Sequence, residues 1–222
     1  MSDSLASAAE RPSALQLLLS VRREERALLA LSGLFFFLVM ASYYILRPIR
    51  DQMGVAGGVD NLPWLFSGTL VAMLAINPLF SALVSRWPRP RFVAVSYRAL
   101  MSCLLAFYLA LTLLPESSSI WTGRAFFIWV SVFNLFAVSV FWALMADVYR
   151  GEQSRRLYGV IAAGGSLGAL VGGLLTSALV QALGAPALLL VSMLMLELAL
   201  RCMYAISRRG DLASSPGSQQ SG

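Results

Sequence analysis

Two arginines and an acid, Arg47, Arg50 and Asp51, close an apolar run in the stretch SYYILRPIRDQMG, residues 42–54. Side chains three apart share a helical face, so the two guanidinium groups project together while a single carboxylate offsets one of them. Such a cluster attracts an anion, or else snorkels to lipid headgroups as an interfacial anchor. Acid–base catalysis has little to work with. The chain holds no His and no Lys, which removes the commonest general base, and Glu197 is the one acid near a span centre, so no credible acid–base pair exists. There is no GxxxxGK[ST] phosphate loop for ATP-driven pumping. Further polar candidates are Asn77, followed by Pro78, and Asn134, the better placed of the two for a solute. Polar groups inside apolar spans are costly and are functional candidates by default. Glu197 and Arg201, four residues apart, read as a neutralised structural bridge. Cys103 and Cys202 give neither a disulfide framework nor a zinc spacing and read as buried small hydrophobes.

The elements that position these groups are membrane spans. The 222 residues are 58% hydrophobic and 13% charged, with mean hydropathy +0.73, too little charge for a soluble surface of this size. A bilayer core of about 30 Å needs about 20 apolar helical residues, and six segments qualify: 27–47, 63–86, 92–114, 119–146, 158–182 and 185–206. Pro and Gly punctuate the breaks between them, and Pro48 predicts a kink or an end to the first. Arginines distribute unequally across the breaks. Arg11, Arg22, Arg23, Arg26, Arg86, Arg89, Arg91, Arg150, Arg155, Arg156, Arg208 and Arg209 fall on one side, and Arg47, Arg50 and Arg124 on the other. The positive-inside rule makes the first side cytoplasmic and places both termini there. The net charge of +6 therefore reflects topology rather than nucleic-acid binding. On that orientation Arg47 and Arg50 lie where arginine is disfavoured. The organisation expected is a cytoplasmic segment over 1–26, a six-helix domain over 27–206 and a flexible cytoplasmic tail over 207–222.

Three further stretches carry resemblances. SALVSRWPRPRFV, residues 81–93, resembles the cytoplasmic signature of the major facilitator superfamily, with Ser81 at its small position, Ser85 at its acid, Arg86 at its arginine and Pro88 at its glycine. The resemblance implies a charge clamp, and Asp147 is the partner available to Arg86 as a gate. Gly164, Gly168 and Gly172, with Gly165 and Gly173 beside them, recur at helical spacing and make a groove for close helix packing. GSLGALVGG also resembles the Gly-Pro-x-x-Gly-Gly element of facilitator antiporters, with Ala169 where Pro is expected, which would make the groove a sliding surface. More narrowly, YYILRPIRDQMGV resembles the first-helix segment of the bacterial and plastid ATP/ADP translocase family, Tyr-x-x-Leu-Arg-x-x-Lys-Asp. Arg47 falls on its arginine, Arg50 on its lysine and Asp51 on its aspartate. FWALMADVYRGEQSRRLYGVI, residues 141–161, resembles that family's Phe-Trp segment, ending here in Arg155, Arg156, Leu157 and Tyr158. Where the family carries an acid about three turns earlier, this chain has Val130.

The resulting expectation is an all-α polytopic protein of six transmembrane helices, a 3+3 half of a facilitator-type secondary transporter in a bacterial inner membrane. Arg47, Arg50, Asn77 and Asn134 would bind a small anionic solute, a nucleotide on the translocase resemblance, and the protein would move it by alternating access without a cofactor. Its partners would be the lipid bilayer, the solute, and a second six-helix half or a homodimer mate, because one half lacks the opposite wall of a cavity. The linker-like final residues favour the half as a fragment. The rival is a non-transporting membrane scaffold or assembly subunit that uses the glycine face.

Overall fold

The computed structural model describes residues 23–149 and 152–214, and every regular element among them is helical. The helices are α1 (Arg23–Ala56), α2 (Leu62–Arg86), α3 (Arg89–Leu113), α4 (Ser119–Val148) and α5 (Glu152–Ser214), with short 3-10 turns at Val59–Asn61 and Glu116–Ser118. Among the described residues, five helices are long and apolar enough to cross a membrane. Leucines such as Leu109, Leu113, Leu190, Leu194 and Leu198 are exposed on the outside of the bundle. That is the pattern of a chain whose solvent is hydrocarbon, since an aqueous exterior would expose charge there.

Three helices follow the hydropathy pattern closely, and two depart from it. Pro48 neither ends α1 nor breaks its hydrogen-bonded run, which continues to Ala56. Only one backbone donor is lost at a proline, and the extra turns are anchored by packing: Met53 lies against Gly123 and Gly54 against Phe127, both on α4. The helix stops where Gly58 takes φ 99°, a conformation only glycine adopts readily. The second departure is α5, one helical run in which Gly184 alone leaves helical geometry, at φ 77° and ψ 162°. Helicity also extends past position 206 to Ser214, into the expected tail. Residues 1–22 and 215–222, with the arginines Arg11 and Arg22, lie outside the described residues, as does Arg150.

At Gly184 the chain turns back on itself. Thr176 donates to the Ile45 carbonyl at 3.4 Å, and Ser192 donates to the Ser42 carbonyl at 3.1 Å. A straight helix would separate Thr176 and Ser192 by about 24 Å, yet both meet neighbouring turns of α1, and they lie equally far from Gly184. Gly-Ala-Pro at 184–186 supplies the local reason: a left-handed glycine closes one helix, and a proline that lacks a donor opens the next. The arms 152–183 and 185–214 therefore flank α1, the first parallel to it and the second antiparallel.

The core lies where α1 and α4 cross. Phe35, Phe36 and Phe141 pack there, with the Phe36 and Phe141 rings stacked at 4.3 Å and Trp142 edge-on to both. Tyr97 of α3 is fully buried and donates to the Ala137 carbonyl at 3.1 Å, so its hydroxyl is satisfied within apolar surroundings.

Candidate functional site

Arg50 sits inside the bundle, on the face of α1 that meets α4. Its side chain retains 16% exposure, against 48% for Arg47. Three partners hold its guanidinium. Nε and one terminal nitrogen donate to Asp51 Oδ1 at 2.9 and 2.6 Å, and the other terminal nitrogen donates to Ser131 Oγ at 3.3 Å. Ser131 can accept because its own proton goes to the Phe127 carbonyl at 2.9 Å. The plane lies 5.1 Å over the Phe127 ring, a cation–π contact. Gly54 makes that ring position possible: a Cβ there would come within 2.7 Å of Phe127.

Arg47 reaches the same acid from 4.0 Å and covers the Tyr44 ring at 5.5 Å. One carboxylate thus faces two cations. Arg124 stands at the same end, with its guanidinium 4.8 Å over Trp121 and a weak 3.5 Å bond to the Gly57 carbonyl. Its Nε is buried without a hydrogen-bond partner. The exposed Asp60 of the following turn is a second acid near this end.

Asn134 lies one helical turn beyond Ser131 on α4, and its Oδ1 is buried without a partner. Residues 127, 131 and 134 form one row on a helix, which puts Asn134 on the same side of α4 as the Arg50 contacts. Asn77 does not join them. It lines a cavity of about 250 Å³ between α2 and α4, with Val132, Leu135, Phe136 and Ser139, on another side of α4. The two asparagines therefore do not converge on one solute.

At the opposite end of the bundle Asp147 is paired, but with Arg89 at 2.5 Å rather than with Arg86. Helix dipoles explain the choice. Asp147 is at the C-terminus of α4 and Arg89 at the N-terminus of α3, each beside a helix end of its own sign, so each gains from the other. Arg86 ends α2 at a helix C-terminus, where a cation is already favoured.

The glycine row faces α1 of the same chain. A Cβ at Gly164 would lie 2.6 Å from the Gly33 carbonyl oxygen and one at Gly172 2.5 Å from that of Ala41, while Gly168 is closer still to Phe37. Glu197 and Arg201 pair at 3.3 Å on the second arm of α5. Cys202 is buried as expected, whereas Cys103 is exposed on the outside of α3.

Sequence reasoning missed Arg98, an exposed cation within the third apolar run. The cost of an intramembrane charge, which drew attention to Glu197, is the signal that finds it. The buried pair Ser42–Ser192, at 2.7 Å, was also missed, because lone serines in apolar runs carry no spacing signal. No protein-family model, curated protein or solved structure matches the chain.

Proposed function

We propose that the chain is one half of a facilitator-type secondary transporter, with six spans arranged as two inverted three-helix units, which moves a small anionic solute by alternating access. The observation that carries the solute class is the Arg50 cluster: a largely buried guanidinium between α1 and α4, with Arg47 beside it and one carboxylate between them. Phosphate groups suit planar guanidinium donors, and nucleotides are the class to which the translocase resemblance points.

Support for the inverted layout comes from which helices touch. If α1, α2 and α3 exchange places with α4 and the two arms of α5, the contact pattern maps onto itself. α1 packs on both arms, through Gly168 and Ser192. Its counterpart α4 packs on α2 through Phe66–Phe127 and on α3 through Tyr97 and Phe107. α1 meets α4, and α3 meets α5. The exchanged helices run in opposite directions, as inverted repeats require. The positive-inside rule then sets the Arg89–Asp147 end, and both termini, on the cytoplasmic side of an inner membrane. The exposed leucine faces of α2 and the first arm would meet a second half or a second copy.

The scaffold alternative depends on a free glycine face. Gly164, Gly168 and Gly172 are occupied by α1, so those positions lend that reading no support.

The test is equilibrium binding of labelled ADP, ATP and inorganic phosphate to the chain in nanodiscs. Binding is expected to weaken at least about ten-fold in Arg50→Ala, the scale of one lost charge-assisted contact, and less in Arg50→Lys. Unchanged binding in Arg50→Ala, or none in the wild type, overturns the anion site.

A further inference from the structure

Arg98 has no role in the transport reading, and its position is specific. It lines two adjoining grooves between α3 and the second arm of α5. One, of about 450 Å³, is bounded by Trp87, Arg91 and Tyr204 at the end of the bundle that carries Arg89. The other, of about 240 Å³, lies deeper and is walled by Met101, Leu105 and Met193. Charged and aromatic groups thus occur at one level and apolar groups at the next, with Arg98 between them.

Helix geometry directs the charge. Side chains on a helix lean towards its N-terminus, and α3 begins at Arg89. Arg98 therefore lies over apolar surface with its guanidinium directed to the Arg91 level, seven residues and two turns away on the same face. Trp87 and Tyr204 are part-exposed there, as aromatic residues at a membrane–water boundary are. Across the groove, Glu197 shares a helix face with Met193 and Tyr204, but it is already engaged by Arg201. Neither Arg91 nor Arg98 has an ion pair among the described residues, so this face carries three cations against one acid.

We infer that this groove is a binding site for an anionic phospholipid. Arg91 and Arg98 would take the phosphodiester, Trp87 and Tyr204 would flank the glycerol level, and an acyl chain would lie along Met101, Leu105 and Met193. Charge complementarity and the two-level lining select a lipid over a soluble anion, which would gain nothing from the deeper groove. Basic pockets between membrane helices recognise such headgroups. The inference uses none of the residues of the Arg50 site and holds whatever solute is transported.

Native mass spectrometry of the detergent-purified chain, titrated with phosphatidylglycerol or phosphatidylcholine of matched chains, tests it. Phosphatidylglycerol should be retained at least ten-fold more tightly than phosphatidylcholine. Arg91→Gln/Arg98→Gln should erase that preference, Arg91→Lys/Arg98→Lys should keep most of it, and Arg50→Ala should leave it unchanged. Equal retention of the two lipids, an unaltered preference in the glutamine variant, or displacement of the lipid by millimolar inorganic phosphate overturns the proposal. Unfolding midpoints of both double variants in detergent check that they are folded; the lysine variant, which preserves bulk and charge, decides the matter if the glutamine variant is unstable.

Discussion

Two of the packed faces of helix α1 are built on opposite principles. Towards the first arm of α5, glycines bring backbone against backbone: Gly164, Gly168 and Gly172 meet the carbonyls of Gly33, Phe37 and Ala41. Towards α4, large rings and a charge fill the space: Phe36 on Phe141, Phe127 beneath Arg50, and Ser131 at its side. Backbone atoms cannot step aside, whereas a ring or a guanidinium can change rotamer. The glycine seam therefore fixes the register of α1, and the aromatic seam can adjust around Arg50.

The largest departure is expected on the glycine seam. Gly168→Ala sets a Cβ against the Phe37 carbonyl and forces two helices apart, at a cost of about 3 kcal/mol, the upper end for overpacking. Its unfolding midpoint in detergent should fall well below that of the other variants, and an unchanged midpoint would show that the seam is loose. Gly54→Ala tests the other face. Its Cβ meets the edge of the Phe127 ring, which can rotate, so about 1 kcal/mol is the expected loss. Anion binding should suffer more than stability does, because the ring supports Arg50. If stability falls as far as in Gly168→Ala with anion binding intact, the two seams do not differ.

Smaller effects refine the contrast. Ser192→Ala removes the bonds to Ser42 on the second arm and should cost about 0.6 kcal/mol, the mean for interhelical hydrogen bonds in membranes. A loss of several kcal/mol in chemical denaturation would make this serine pair, rather than the glycines, the main lock on α1. Gly173 adjoins the row, but a Cβ there would have nothing within 4 Å. Gly173→Ala should be neutral, or stabilising by up to about 1 kcal/mol through helix propensity; a destabilised Gly173→Ala would reveal a neighbour on that face.

Much of this architecture was legible along the chain. The limits of α2 and α4 differ by one or two residues from those read from hydropathy, and α3 begins three residues earlier, because a membrane helix must be both apolar and about 20 residues long. Glu197 and Arg201 pair because four-residue spacing is a property of one helix. The failures share a cause. Pro48 marks a local loss of one hydrogen bond, and whether the helix survives it depended on α4 packing against Met53 and Gly54. Arg86 and Arg89 are equally near Asp147 in sequence terms, and the choice between them fell to helix ends brought together in space.

The sequence by itself determined that the chain is a helical, bilayer-suited bundle, where its turns fall, and which side its arginines favour. Those properties follow from composition and period, which act within one segment. Only the tertiary structure decided that Arg50 is enclosed while Arg47 is open, that Asn77 and Asn134 face different sides of α4, and that the glycine row is filled by α1. Each of these depends on which faces of distant segments meet, and no spacing within a single helix carries that information.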